Sequence, residues 1–509
     1  MAKYKKTRIN LNLKRKSGIL LNISSLPSKY GIGDLGKGAY KFIDFLFTSS
    51  QSYWQMFAYS PIDFTRSPPY SIFSAFAGNV YYIDLEALDK FIDSDLSLLK
   101  ENETRYSDLK KLSFKDKFLK EAALNFINRA SADEVRSFEK FKKKSSYWLL
   151  DFASFVAFKE YFFKESKNAF NVLFDRGILK KNEKDLFKLR NILSKEIKVQ
   201  EVLQYFFFSQ FQALKRYAND KGIELIMNVP FFIAYDSADV WAYQKYFKLR
   251  FDASKDKIAG ISPDYFLEQE QAWDSAAYSW NVLKKFKYEW WAKRIGVLRK
   301  YADIIKIDHF RGFVSTWEVS AGESYAFNGL WVKSPGRDFF NFILNEIKDL
   351  KIWVEDFQND LEDVSRLRDF FNFPGMKIMN LAFDFDSSNQ NLPHNYIKNC
   401  IVYTGSGDND TIREFINSLD DLHKKYIFDY LNTNENFVVW DMIRSAMGSV
   451  SDNVIVPMQD YINLGDKFSA NIPKSTLDNC IFRLLESDLD ATLSQNISFL
   501  TRLYGRALE

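Results

Sequence analysis

The 509 residues predict an α/β chain built on a (β/α)8 barrel of the TIM type, interrupted by inserted, largely helical subdomains. Three observations carry that expectation. Eight short apolar runs recur along the chain, segments with helical spacing lie between them, and several runs end abruptly in charged residues. Runs of this kind favour extended backbone, and a strand, helix, strand order favours a parallel arrangement.

Residues 1–16 carry seven basic side chains and read as a basic N-terminal arm. The following apolar stretch, 18–21, is too short for a signal-peptide core and lacks an Ala-x-Ala-like site, so a solvated arm on a cytoplasmic protein is expected. Residues 17–87 form the first part of the barrel, with strands at 17–26 (SGILLNISSL) and 52–61 (SYWQMFAYSP), a Gly-containing loop at 27–38 and a helix at 39–48. Residues 88–222 read as a mainly helical insertion, with helices over 114–130, 145–165 and 183–220 and Gly222 ending the last. The Phe-rich piece 147–163 is interrupted by Asp151, Lys159 and Glu160, which suits a buried amphipathic helix rather than a membrane span. Residues 223–509 supply the remainder of the barrel with its substrate-loop insertions. Its strands are expected at 223–230, 302–310, 351–357, 376–385, 400–404 and 454–458.

Lys and Arg number 70 against 66 Asp and Glu, a balance that argues against nucleic acid or an acidic membrane surface as partner and fits a small molecule or neutral polymer. Two cysteines, Cys400 and Cys480, and three dispersed histidines, His309, His394 and His423, make neither a disulfide framework nor a metal-ligand cluster. No metal and no organic cofactor is expected. The 49 Phe residues reflect a general compositional bias more than a dedicated site, and nothing in the sequence sets the oligomeric state.

The most informative run is 304–312 (IIKIDHFRG), where alternation in a strand puts Lys306 and Asp308 on one face. A buried strand entering a loop whose Asp caps a helix explains that run equally well. Matching acids at other strand ends tip the balance: Glu355 ends the run 352–354, and Asp408 follows YTGSG at 403–407. Glycoside chemistry needs such a set, with one carboxylate to attack the anomeric carbon, one carboxyl group to protonate the leaving oxygen, and a third acid to steady the oxocarbenium-like transition state.

The stretches LNISSLPSKYGIGDLG (21–36), FSAFAGN (73–79), YDSADVWA (235–242), SPDYF (262–266), IDHFRGF (307–313), VKSPG (332–336), VEDF (354–357), PGMK (374–377), LPHNY (392–396), YTGSGDNDT (403–411) and VPMQD (456–460) resemble the 4-alpha-glucanotransferase family, known as amylomaltase or disproportionating enzyme. They occur in the family's order over residues 17–483. The resemblance implies a (β/α)8 barrel with inserted subdomains and a retaining transfer of an α-1,4-glucan segment between maltooligosaccharides. It implies Asp308 as nucleophile, Glu355 as general acid/base and Asp408 as transition-state stabiliser. It also implies a loop over the acceptor side, matched by 260–273, in which Tyr265, Phe266 and Trp273 would stack on glucose rings. Tyr70, Asp264, His309, His394 and Asn471 match its sugar-binding regions more loosely.

Four places depart from the family pattern. Lys306 stands where the family has arginine, a point charge in place of a bidentate fork. Gly407 replaces a histidine before the third acid, Asn228 replaces an aspartate at the end of the third strand, and Ser469 and Lys474 alter the surroundings of Asn471. Loss of one preorganised donor to a transition state costs roughly 100- to 1000-fold in rate. Two alternatives therefore stand beside the transferase: a mainly hydrolytic α-glucanase, and a glucan-binding protein with impaired catalysis.

Overall fold

The computed structural model describes residues 15–61, 72–98, 104–162, 168–260, 272–323, 328–356, 362–407, 409–465 and 482–508, with backbone alone at 272–274. The strands in chain order are β1 (Lys16–Leu20), β2 (Tyr53–Met56), β3 (Glu224–Val229), β4 (Lys257–Gly260), β5 (Ala272–Ala276), β6 (Ile304–Ile307), β7 (Ser315–Ser320), β8 (Leu330–Lys333), β9 (Lys351–Val354), β10 (Gly375–Ile378), β11 (Cys400–Tyr403) and β12 (Asn453–Pro457). Eight of them close a barrel in the order β1, β12, β11, β10, β9, β6, β3, β2, and every pairing in it is parallel. One barrel strand falls in, or within a residue of, each of the eight expected runs. All but β12 are shorter than expected: the run 376–385 is strand only to Ile378, because the 3-10 turn Met379–Leu381 follows at once.

Side chains alternate between the barrel interior and the helical layer, and both faces are buried, which is why these strands read as nearly continuous apolar runs. Ile305, Ile307, Ile352, Val354, Val402, Val454 and Val456 pack outward into the main core. Ile226, Ile304, Trp353, Met376, Ile401, Tyr403 and Ile455 fill the interior with Tyr53 and Leu20. The interior is layered. At the amino ends Glu224 is paired with Lys16 and Lys351. Above them Tyr53 meets Trp353 edge-on at 5.3 Å and donates to Asn453 Oδ1 at 3.0 Å. At the carboxyl ends the filling turns polar, with Gln55, Asn228, Lys306 and Tyr403 all buried.

Gly18 is what lets the Tyr53 layer close. A Cβ there would sit 2.3 Å from Tyr53 Cβ and 2.6 Å from its carbonyl oxygen. Gly18→Ala is therefore expected to cost about 1–3 kcal/mol through overpacking. The check is the urea midpoint at unchanged slope; a wild-type midpoint would mean that the layer has slack.

The helices Lys111–Arg129, Ala132–Ser145, Leu149–Phe162, Glu183–Ile192 and Ser194–Asp220 occupy the region between β2 and β3. Ser194–Asp220 buries Phe207, Phe211 and Leu214, and Gln204 clamps the backbone of Gly78 through both of its amide atoms, at 2.8 and 3.0 Å. Gly222, in left-handed conformation at φ 76°, follows the end of that helix. The Phe-rich helix Leu149–Phe162 buries Phe152 against Trp148 and Phe155 and Phe158 against Phe174. Among the described residues no helix is long and apolar enough to cross a membrane. Arg15 and Lys16, the end of the basic arm, already belong to the fold: Arg15 donates to the Ser449 carbonyl at 2.5 Å, and Lys16 opens β1.

A second sheet was not expected. β4, β5, β7 and β8 form an antiparallel sheet in the order β5, β4, β7, β8. Its strands β4 and β5 lie in the connection from β3 to β6, and β7 follows β6 through the 3-10 turn Phe310–Phe313, so the sheet rises from the carboxyl end of the barrel.

Candidate active site

The ends of β3, β6 and β9 are laced together. Asp308 donates its N–H to the Val229 carbonyl at 3.1 Å, Glu355 donates to the Ile307 carbonyl at 3.0 Å, and Phe310 donates to the Glu355 carbonyl at 3.2 Å. Between them His309 adopts left-handed backbone, φ 51° and ψ 51°, a conformation that costs a non-glycine residue roughly 1–2 kcal/mol. The turn aims the His309 N–H at the Glu355 carboxylate, which accepts it through Oε2 at 2.6 Å. A hydrogen bond this short offsets much of such a cost.

Lys306 lies beneath both acids. Its Nζ donates to Asp308 Oδ1 at 2.6 Å and stands 3.7 Å from Glu355 Oε1. Lys306 is 3% exposed and Asp308 8%. Burial alone would lower the Lys306 pKa, but Asp308 and then Glu355 outweigh it and hold the ammonium protonated, well above the usual lysine range. Because one nitrogen contacts both, the sum of the two distances caps the separation of Asp308 Oδ1 and Glu355 Oε1. The His309 ring packs on Phe231 and Phe232, with centroids 6.0 and 5.9 Å away. Burial, only partly opposed by Glu355, pushes its pKa down to about 4, so the imidazole is neutral at neutral pH.

The loop after β11 is fixed on either side of position 408. Thr404 Oγ1 donates to Asp460 Oδ2 at 2.6 Å and the Ile412 N–H to Asp460 Oδ1 at 2.8 Å, while Asn380 Nδ2 donates to the Asp410 carbonyl at 2.8 Å. Asp460 is 1% exposed, and its burial pushes the carboxyl pKa up to about 6 despite those hydrogen bonds. Gly407 has φ 88°, and a Cβ on it would lie 2.7 Å from Phe57 Cζ. The Phe57 ring thus occupies the space that a side chain at 407 would need. Asp408 itself lies outside the described residues, as do Tyr70, Asp264, Tyr265, Phe266 and Asn471.

Lys306, Asp308, His309 and Glu355 are thus brought together. Trp273 falls in β5, next to the 261–271 segment. His394 sits in a different network, its ring nitrogens 2.8 Å from the Tyr430 hydroxyl and 2.9 Å from the Ser387 carbonyl. Sequence reasoning passed over two groups beneath the cluster. Tyr403 donates its hydroxyl to Gln55 Oε1 at 2.7 Å, and Gln55 Nε2 donates to Asn228 Oδ1 at 3.2 Å. The signal was present in the period-2 alternation of 53–57, which puts Gln55 on the face of Tyr53. Asp356 was also passed over. It accepts from the Met376 N–H at 2.7 Å and from Arg368 at 2.5 Å, anchoring the end of β9 from the outside.

A parallel barrel with acids gathered at the carboxyl ends of adjacent strands and a cation beneath them defines, as a class, a barrel enzyme acting on glycosidic bonds. The profile of glycoside hydrolase family 77, 4-alpha-glucanotransferase, matches residues 21–487. The chain belongs to this 4-alpha-glucanotransferase family. It is 39% identical over 500 residues to the 4-alpha-glucanotransferase of Clostridium butyricum, covering 96% of this chain and 100% of that one. It is 38% identical over 504 residues to that of Synechocystis sp., covering 97% and 99%. Among solved structures, the amylomaltase from Streptococcus agalactiae in complex with acarbose superposes with a TM-score of 0.92 at 34% identity, covering 97% of this chain and 100% of that one.

Proposed function

We infer that this chain, as a 4-alpha-glucanotransferase, works by two displacements in which Asp308 is the nucleophile and Glu355 the general acid/base. The observation that carries the reading is the single buried ammonium of Lys306, held between Asp308 and Glu355 at the ends of β6 and β9. In the first step an Asp308 oxygen bonds to the anomeric carbon of an α-1,4-glucan while Glu355 gives its proton to the departing 4-oxygen. A glycosyl ester forms and the reducing-end portion of the donor leaves. In the second step Glu355 takes the proton from the 4-hydroxyl of an acceptor sugar, whose oxygen displaces Asp308. Two inversions leave the linkage α. Lys306 holds Asp308 in place for attack, and the His309 N–H holds Glu355 from the opposite oxygen.

Asp408, carried on the loop braced by Asp460 and Asn380, stabilises positive charge on the sugar in this proposal. Tyr70, Asp264, Tyr265, Phe266, Trp273, His309, His394 and Asn471 are its candidate sugar contacts. Maltooligosaccharides are the partners, and the setting is cytoplasmic. The relatives are named as glucanotransferases, and nothing in the comparisons favours the hydrolytic or the impaired alternative.

Incubation with maltotriose tests the reading. The expected products are glucose and longer maltooligosaccharides, at a nearly constant total of reducing ends. A steady rise in reducing ends would instead favour the hydrolase, and an unchanged chromatogram the impaired binding protein.

A further inference from the structure

Asn228 and Lys306 are Cα partners across β3 and β6. Both are buried in the polar layer at the top of the barrel, Asn228 at 4% exposure and Lys306 at 3%. The hydrogen bonds beneath them fix how the Asn228 amide is turned. Tyr403 donates its one hydroxyl proton to Gln55 Oε1, so Gln55 presents its NH2 to Asn228, which accepts through Oδ1. Position 228 thereby carries an oriented but uncharged group beside the cation that serves two acids.

We propose that Asn228 is a positioning residue for the transfer reaction: its neutral amide leaves the Lys306 ammonium to Asp308 and Glu355. A carboxylate at 228 would be a third claimant on one ammonium, in an interior where solvent screens little. Arginine carries a fork that serves several acceptors at once, whereas lysine is a single compact charge. The neutral amide at 228 and the compact ammonium at 306 are therefore matched to each other, and changing either alone would misplace the acids. The inference rests on the roles given above to Asp308 and Glu355.

The test is a double-mutant cycle on the full chain, reading kcat and KM for glucose release from maltotriose together with the thermal midpoint. Asn228→Asp is expected to lower kcat about 100-fold, the scale of a misplaced reacting group, with KM nearly unchanged. Adding Lys306→Arg to it is expected to recover most of that loss, although Lys306→Arg alone also lowers kcat. Asn228→Ala removes the acceptor of Gln55 without adding charge and is expected to lose about tenfold or less.

Wild-type kcat in folded Asn228→Asp would overturn the proposal, as would single losses that simply multiply in the double variant, or a loss in Asn228→Ala as large as that in Asn228→Asp. If Asn228→Asp fails to fold, a folded, active double variant is the same rescue read in stability, and an unfolded double variant overturns the proposal. Asp308→Asn serves as control. Activity surviving there would count against the nucleophile assignment, whereas a dead control with a multiplicative cycle would count against Asn228 alone.

Discussion

Asp308→Asn is expected to lose transfer activity on the order of 10⁴-fold or more, the scale on which enzymes lose rate when the nucleophile is removed. The substitution is nearly isosteric, and the amide oxygen of an asparagine can still accept from Lys306, so the geometry at the end of β6 should survive. Removing a partner from a buried ion pair is otherwise costly. Here Glu355, with an oxygen 3.7 Å from the ammonium, remains beside it. The expected result is therefore a folded, inactive protein that still binds maltooligosaccharides. The measurement pairs glucose release from maltotriose with binding calorimetry. Retained turnover would place the nucleophile elsewhere, and lost binding would make Asp308 a structural residue.

Glu355→Gln is expected to reduce transfer between ordinary maltooligosaccharides about 10²- to 10⁴-fold, the usual range for a general acid/base. Its two tasks can be separated. Departure of a sugar oxygen needs a proton, whereas departure of fluoride from an α-maltosyl fluoride does not. With the fluoride donor the variant should form the glycosyl ester at a useful rate and then stall, because no base activates the acceptor hydroxyl. Azide needs no base, so adding it should restore turnover and give an α-glycosyl azide. Absence of both the stall and the rescue would leave Glu355 as a binding group only. The His309 N–H should hold the glutamine oxygen much as it holds Oε2 of the acid, which keeps the comparison one of chemistry rather than placement.

The barrel was legible because its strands are buried on both faces. Runs such as VIVP (454–457) and CIVY leave no polar face to confuse with a helix, and their spacing leaves room for a helix between each pair. The antiparallel sheet was not legible. β4 (KIAG) and β8 (LWVK) are four residues long, too short to show alternation, and what folds them is pairing with β7 across the chain. Strand ends were overestimated where apolar residues continue past the last ladder bond, as at Met379 after β10, which turns into a 3-10 segment.

At the site, alternation correctly put Lys306 and Asp308 on one side, but it gave no measure of how close Glu355 comes. That proximity is set by the β6–β9 register, which pairs Ile307 with Val354, and the left-handed turn at His309, which an HFRG sequence does not announce, adds the N–H that holds the Glu355 carboxyl group. Gln55 and Tyr403 were hidden for the opposite reason. They sit inside ordinary-looking strands, and their role arises only when the barrel closes and brings β2 and β11 to face each other across its interior. Gly407 reads in the sequence as a missing side chain. In the fold it is a position that Phe57 has filled, so restoring a side chain there would require moving that ring.

The central claim is that a glycosyl group is carried on Asp308. The most direct measurement is mass spectrometry of the peptides of Glu355→Gln after brief exposure to α-maltosyl fluoride and acid quenching. A maltosyl mass increment is predicted on the peptide containing Asp308, absent when Asp308 is also changed to Asn. An increment on any other carboxylate, or rapid release of β-maltose with no labelled peptide, would contradict it.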